Sequence, residues 1–203
     1  MDLADLEALA VDAYRETKLD DETPQVVRLA RTLLGPDVIE RGARPVGAPA
    51  ALVRVGDAWR IILSRSLSTP YALHAIGHEL GHWLLMRARY DGDDEEAAAD
   101  YLGAALVAPR RAFASALRAL GDDLAELAAV FRSTETAAAL RVGEVTGRPL
   151  AVVAPHRVRV RGPESWAWPD ESTLRAWARR GRVGVRRCRL RDDDRRMMLI
   201  ADA

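Results

Sequence analysis

The stretch from Leu73 to Leu85 constrains the chain most, because it places a His-Glu-x-x-His motif inside a helical pattern. His78 and His82 are four residues apart, so both imidazoles of an α-helix lie on one face, where they can hold a single metal ion. Ser68, Thr69 and Pro70 predict a helix start with a cap and a first-turn proline. The opposite face carries apolar residues at helical spacing, and we expect it to be buried: Leu73, Ile76, Leu80, Trp83 and Leu84.

A catalytic metal site needs a proton acceptor and a third ligand besides the two histidines, and residues near this motif are candidates for both. Glu79 follows the first histidine, where its carboxylate can reach a water on the metal and take its proton. A catalytic zinc site also needs three protein ligands and an open position. A second helical pattern, from Asp93 to Pro109, begins with acidic residues and ends at a proline. On this helix we predict Glu96 as the third ligand and Asp100 as the acceptor that orients a ligand histidine.

Two alternatives remain open for the acidic helix. Asp100 itself or Glu95 could be the third ligand in place of Glu96. The acidic residues of the first turn could also serve only to complement the helix dipole, with Asp100 solvated. That second interpretation explains the acidic helix by itself but not its pairing with the histidine motif, so we favour a metal site.

These two segments resemble the ImmA/IrrE family of zinc metallopeptidases. The family pattern has a His-Glu-x-Gly-His helix, then Glu-x-Glu-Ala-Asn, an aromatic-Ala pair and Leu-Leu-Met-Pro; here the first element is His78 to His82 and the last is Leu106 to Pro109. By this resemblance Glu96 falls on the metal-binding glutamate and Asp100 on the Asn. The sequence departs from the pattern at packing or supporting positions: Ala98, Leu102, Gly103 and Ala108. The resemblance extends from about Trp59 to Pro109 and more loosely to Gly147.

The resemblance implies a gluzincin-like zinc endopeptidase whose substrate is a protein. The expected substrate is a helix-turn-helix transcriptional repressor, cut once so that repression is relieved, in a mobile-element or stress response. Two other classes stay open: a general cytoplasmic peptidase, and a non-proteolytic regulatory binding protein with the same fold. A glutamate between two ligand histidines favours the protease, because a binding module has no need for Glu79.

Composition excludes several other classes of protein. Cys188 is the one cysteine, so no intrachain disulfide can form. The amino terminus lacks a signal-peptide pattern, and no apolar stretch is long enough to span a bilayer, so we expect a cytoplasmic protein without a membrane partner. From Arg148 onward there are 14 arginines against 7 acidic residues, and the preceding part is acidic by a similar margin. The helical patterns after Pro109 have no basic recognition face, so direct nucleic-acid binding is not expected.

The predicted fold class is α+β: a mainly helical zincin-like core, a small β-sheet in the N-terminal half and a small C-terminal α+β appendage. Residues 1–147 are predicted to form the metallopeptidase domain with its helical substrate-side region, and residues 148–203 the arginine-rich appendage. Two strands, Leu52 to Val55 and Trp59 to Ser64, are expected around a turn at Gly56 and Asp57, after a loop from Arg41 to Ala50. By resemblance to zincins, Trp59 to Ser64 could pair with an extended substrate; an ordinary interior strand is the alternative.

Peptide hydrolysis also needs a donor for the oxyanion, and the sequence offers more than one. We predict His156 as this catalytic donor, because it is the one histidine outside the motif helix. Tyr90 and Tyr101 are alternative donors, although Tyr101 follows Asp100 and is expected in the core. His74 is expected to pack or to form a hydrogen bond near the helix start. In the C-terminal segment, Arg157, Arg159 and Arg161 share one strand face, which is either solvated or a docking site for an acidic surface.

Overall fold

The computed structural model describes residues 2–22, 24–43, 48–154, 158–161, 167–180, 185–189 and 197–201. The fold is α+β, mainly helical, with a three-stranded sheet in the N-terminal half and a four-stranded sheet near the C-terminus. The predicted fold class is therefore confirmed. In chain order the elements are α1 (Leu3–Thr17), α2 (Val26–Leu34), β1 (Ile39–Gly42), β2 (Ala50–Val55), β3 (Ala58–Ser64), α3 (Thr69–Arg87), α4 (Glu95–Val107), α5 (Arg110–Leu120), α6 (Leu124–Phe131), α7 (Glu135–Thr146), β4 (Leu150–Val153), β5 (Val158–Arg161), α8 (Glu171–Arg180), β6 (Val185–Arg189) and β7 (Met197–Ala201).

The chain divides into two compact units. The first comprises Met1–Ser115 and Phe131–Ser133, and the second comprises Ala116–Val130 and Thr134–Ala203. The sequence predicts a boundary after residue 147, between a metallopeptidase domain and an arginine-rich appendage. This division stays a prediction. None of the helices in the described ranges combines the length and the apolar character that crossing a bilayer requires.

Helix α3 runs through the core of the first unit and carries the histidine motif. Ile76, Leu80 and Leu84 are buried on its inner face, and the half-buried Leu73 and Trp83 pack against the same core, as the apolar spacing predicts. The helix begins at Thr69 with Pro70 in its first turn. Ser68 is the extended N-cap residue, so the helix starts where the sequence predicts, but the Ser68 side chain makes no capping hydrogen bond. The start of α3 therefore depends on the proline and on tertiary packing.

Helices α3 and α4 approach so closely that their backbones nearly touch. A Cβ atom on Gly77 would lie 2.7 Å from the carbonyl oxygen of Gly103, and one on Gly81 would lie 2.9 Å from that of Ala99. Conversely, a Cβ on Gly103 would meet the backbone nitrogen of His78 at 2.8 Å. Real Cβ atoms do not tolerate such distances to backbone, so glycine is required at these positions. This close packing brings the residues after Gly77 and Gly81, which are the two motif histidines, to the acidic face of α4.

The N-terminal sheet has the strand order β1-β3-β2, with β1 parallel and β2 antiparallel to β3. The predicted hairpin is present, and Gly56 at its turn has a φ of 61° that favours glycine. Strand β1 was not predicted, because Arg41 and Gly42 were assigned to a loop. Strand β2 pairs along β3, and β1 pairs with Ile61 to Ser64 on its other side. The expectation that β3 pairs with substrate is therefore wrong for Ile61 to Ser64, where the interior-strand alternative holds.

The second unit contains a four-stranded antiparallel sheet, in the order β5-β4-β7-β6, with α8 packed on it. In this unit Glu144 binds two arginines: Arg141 Nη1 at 3.2 Å and Arg161 Nε at 2.7 Å. The side chains of Arg141 and Glu144 are each only 1% exposed. Removing one partner from such a buried pair leaves an uncompensated charge, so we infer that the network fixes α7 against β5. Arg161 is thus already paired, and Arg157 of the predicted arginine face lies outside the described residues.

Candidate metal centre

The two motif histidines lie on one face of α3 and point to a common position. Their Nε2 atoms are 3.1 Å apart, and the rings meet edge-on with centroids 4.7 Å apart. The His78 side chain is 20% exposed and the His82 side chain 19%, so both rings are mostly buried but reachable from solvent. One turn of helix separates the two residues, which is the reason that both nitrogens reach the same position.

Helix α4 supplies the third group of the cluster. Oε2 of Glu96 lies 3.5 Å from Nε2 of His78, and its Oε1 lies 3.5 Å from Nε2 of His82. Within the described ranges, these three side chains form a cluster able to hold a metal ion. Two ligand atoms about 2.0–2.2 Å from a tetrahedral zinc ion lie about 3.4 Å from each other. The 3.1 Å between the two Nε2 atoms and the 3.5 Å from each of them to an oxygen of Glu96 are close to this separation, so the three side chains suit one small cation.

The other nitrogen of each histidine faces a carboxylate of α4. Asp100 Oδ1 lies 3.1 Å from His78 Nδ1, and Glu95 Oε1 lies 2.8 Å from His82 Nδ1. An ionised carboxylate can only accept a hydrogen bond, so with the proton on each Nδ1 the two Nε2 atoms are left with lone pairs. Two lone pairs directed at one position are the arrangement that a cation stabilises. The hydrogen bond with Asp100 also raises the pKa of His78, although partial burial of the ring acts in the opposite direction.

Glu79 is held by the edge of the N-terminal sheet. Its side chain is buried, and its Oε2 accepts a hydrogen bond of 2.8 Å from the backbone N–H of Leu52 in β2. In an antiparallel ladder, alternate residues direct their N–H groups away from the partner strand. Since β2 is an outer strand of the sheet, the Leu52 amide is directed outward and reaches the carboxylate. The carboxylate is therefore fixed beside His78 on the helix that bears both histidines.

The family to which the chain belongs follows from its sequence. The model of the peptidase family described as the IrrE N-terminal-like domain matches residues 41–142, half of the chain. The chain belongs to this family. Membership confirms the ImmA/IrrE resemblance and supports a peptidase, and the matched region contains the entire cluster.

A solved structure is similar to a larger part of the chain than the family model matches. A Mycobacterium tuberculosis transcriptional regulator superposes with a TM-score of 0.62 over 97% of this chain and 87% of its own, at 13% identity. At that identity the similarity shows a shared fold and nothing further. No curated protein matches the chain.

The structure brings together most, but not all, of the residues that we predicted for the site of this IrrE-like peptidase. His78, His82 and Glu96 form the cluster, Glu79 adjoins it, and Asp100 contacts His78 as an orienting acceptor would. His156 lies outside the described residues, so its role as oxyanion donor stays a prediction. The hydroxyl of Tyr101, an alternative donor, donates instead to the buried Glu7 at 2.9 Å.

Sequence reasoning missed two contacts of the site. Glu95 was considered as a rival ligand or as a complement to the helix dipole, although it faces Nδ1 of His82 on the side away from the cluster. Its position one residue before Glu96 gave a signal that could not be interpreted without the crossing of α3 and α4. The Leu52 amide gave no signal at all, because every residue except proline has a backbone N–H.

Proposed function

We propose that this IrrE-like peptidase is a zinc-dependent endopeptidase that acts in the cytoplasm. Its proposed substrate is one specific helix-turn-helix repressor, cut to relieve repression in a mobile-element or stress response. The observation that carries the proposal is the convergence of His78 Nε2, His82 Nε2 and the Glu96 carboxylate beside the buried Glu79. Family membership supports the peptidase class, and the choice of a repressor rests on the resemblance to the ImmA/IrrE family.

In this proposal each residue has a separate task. His78, His82 and Glu96 would hold the zinc, while Asp100 accepts from Nδ1 of His78 and orients that ring. When bound, zinc supplies Lewis-acid chemistry, which makes water acidic near neutral pH and polarises a carbonyl group. Glu79 accepts the proton of the attacking water and delivers it to the nitrogen of the leaving amine. Because Oε2 of Glu79 accepts the Leu52 amide, Oε1 is the oxygen that handles this proton.

The strand that best supports binding of an extended substrate is β2, in place of the β3 segment that the sequence suggested. It is an outer strand of the N-terminal sheet, and its outward amide at Leu52 contacts Glu79. A substrate strand paired alongside β2 would lie next to the proposed base. Strand β2 thus serves in the proposal both as a support for Glu79 and as a guide for the peptide.

Cleavage of a repressor tests the proposal directly. The purified zinc-loaded protein is incubated with each helix-turn-helix repressor encoded beside its gene and, separately, with unrelated unfolded proteins. We expect a single cut in one repressor, detected by gel electrophoresis and intact-mass measurement, and no cutting of the unrelated proteins. Broad cutting would instead indicate a general peptidase. If no repressor is cut, and Glu79→Gln still relieves repression in cells, the protein is a non-proteolytic regulator.

Replacing Leu52 with proline should slow catalysis without removing the metal. Proline is tolerated on an outer strand where the missing N–H faces away from the sheet, so the hairpin should remain. Without the Leu52 amide, Glu79 loses its fixed orientation, and misplacement of a reacting group by about 1 Å can cost about 100-fold in rate. We therefore expect kcat to fall about 10- to 100-fold at an unchanged zinc content, measured by steady-state kinetics and metal analysis.

Arg54→Pro is the matched control for this variant. Arg54 lies two residues further along β2, so its amide is also directed outward, and it is exposed. This variant should keep kcat within a few-fold of the wild type because Glu79 keeps its Leu52 contact, whereas loss of an outward amide that pairs with substrate would raise KM. Equal losses of kcat in the two variants would mean that damage to the strand, and not loss of the Glu79 contact, slows the reaction.

A further inference from the structure

One carboxylate beside the cluster, that of Glu95, is neither a ligand nor the base in the proposed function. Glu95 Oε1 accepts from His82 Nδ1 at 2.8 Å, a shorter contact than that of Asp100 with His78 at 3.1 Å. Both acceptors lie on α4, on either side of Glu96 in the sequence. One helix thus supplies the third ligand of the cluster and a hydrogen-bond acceptor for each of the other two.

We infer that Glu95 is a positioning residue for the metal centre, acting through His82. This inference rests on the proposed zinc site and adds a residue to it. A neutral imidazole without a partner at Nδ1 can rotate and can place its proton on either nitrogen. The Glu95 carboxylate removes both freedoms, because it accepts only from a protonated Nδ1 and lies in one direction from the ring. Nε2 of His82 therefore presents its lone pair in the right direction before a metal ion binds.

The geometry separates this role from the other two roles open to Glu95. A ligand carboxylate would lie beside the paired Nε2 atoms, where Glu96 lies; Glu95 contacts the opposite nitrogen of His82. A residue that only complements the helix dipole would have no directed partner, whereas Glu95 has one at 2.8 Å. The cap of α4 is supplied separately, by Asp94, whose side chain accepts from the Ala97 amide.

The inference makes α3 and α4 a self-contained pair for binding the metal. All three proposed ligands and both orienting carboxylates lie on these two helices. The close approaches of Gly77 to Gly103 and of Gly81 to Ala99 set the short distance at which the first turn of α4 reaches His82. Metal affinity should therefore respond to Glu95 as it responds to Asp100, although the Glu95 side chain is 58% exposed and that of Asp100 only 26%.

The test is metal affinity of the full-length chain, with Zn²⁺ and Co²⁺ as the probes. Zinc dissociation constants are measured by competition with a chelator for wild type, Glu95→Ala, Glu95→Gln, Glu96→Ala and Asp93→Asn, and the Co²⁺ absorption spectra are compared. Loss of an orienting partner of a ligand histidine weakens metal binding about 10- to 100-fold, and we expect that range for Glu95→Ala. Glu95→Gln should lose less, because its amide oxygen can still accept from Nδ1. Asp93→Asn, which removes an exposed charge before α4, should stay within about three-fold.

Each outcome decides between the roles. Weaker zinc binding by Glu95→Ala, with the four-coordinate Co²⁺ spectrum kept, supports positioning. A changed Co²⁺ spectrum with loss of zinc as complete as in Glu96→Ala would make Glu95 a ligand and overturn the inference. If Glu95→Ala binds zinc as tightly as Asp93→Asn does, Glu95 acts only as a surface charge and the inference is overturned. If Glu95→Ala fails to fold, as circular dichroism would reveal, Glu95→Gln compared with Asp93→Asn decides the same question. A wild type that binds no zinc defeats the proposed function itself, whereas the other results concern Glu95 alone.

Discussion

Glu79→Gln should lower kcat for peptide hydrolysis by about 100- to 10,000-fold, which is the usual contribution of a general base or acid. Glutamine keeps the shape of glutamate, and its side-chain oxygen can still accept the hydrogen bond from the Leu52 amide that Oε2 accepts now. It cannot accept a proton from water. The fold and the three-residue cluster should therefore remain while the chemistry stops. Steady-state cleavage of the repressor, or of a peptide spanning its cut site, measures the change.

The matched control is Glu7→Gln, which alters another buried carboxylate of the first unit. Glu7 accepts a hydrogen bond from the hydroxyl of Tyr101, and glutamine can accept the same bond. This variant should keep kcat within a few-fold of the wild type. Zinc content should be equal in both variants and the wild type, since neither residue belongs to the cluster. Full hydrolysis by Glu79→Gln would remove Glu79 as the base and the peptidase mechanism with it.

The sequence predicted the site best where the site depends on one helix. The spacing of His78 and His82 determines their common face as soon as α3 forms, and the apolar spacing predicts that α3 is a core helix. For Glu96 the acidic helix gave only a preference over its rivals, and the resemblance to the ImmA/IrrE pattern supported that preference. Spacing along α4 by itself left Glu95, Glu96 and Asp100 as alternatives, since adjacent helical residues differ by about 100° in direction. The crossing of α3 and α4 decides which of them faces which nitrogen.

The features that the sequence did not predict all depend on contacts between distant segments. Strand β1 exists because Ile39 to Gly42 pair with β3, and this short polar segment has no strand pattern of its own. The Leu52 amide reaches Glu79 only after the hairpin register is set and the sheet lies against α3. The glycines of α3 and α4 can be seen in the sequence, but the reason for them cannot be inferred from it, because a close approach depends on both helices at once. Local periodicity predicts helices and strands, whereas tertiary packing determines which residues of different elements contact each other.

Removal of a single predicted ligand should abolish stoichiometric zinc binding. We expect about one zinc ion per wild-type chain and none above background in His82→Ala or Glu96→Ala, measured by metal analysis after dialysis against a metal-free buffer. The structure gives the reason: three side chains converge on one position, and each supplies one of the ligand atoms. Loss of a direct ligand should exceed the roughly 10- to 100-fold that an outer hydrogen-bond partner contributes. Zinc retained by Glu96→Ala would transfer the ligand role to Glu95 or Asp100.

Thermal unfolding separates loss of metal binding from loss of structure. A ligand that binds only the folded state stabilises it by about 2.7 kcal/mol at a concentration 100 times its dissociation constant, so zinc should raise the Tm of the wild type. The Tm of Glu96→Ala should not respond to zinc. Without metal, Glu79, Glu95, Glu96 and Asp100 place four carboxyl groups around two histidines, and removing the exposed Glu96 relieves repulsion among them. The metal-free Glu96→Ala protein should therefore unfold at the same temperature as the metal-free wild type or above it. A clearly lower Tm would show that Glu96 holds the fold together, and its loss of zinc would then no longer identify it as a ligand.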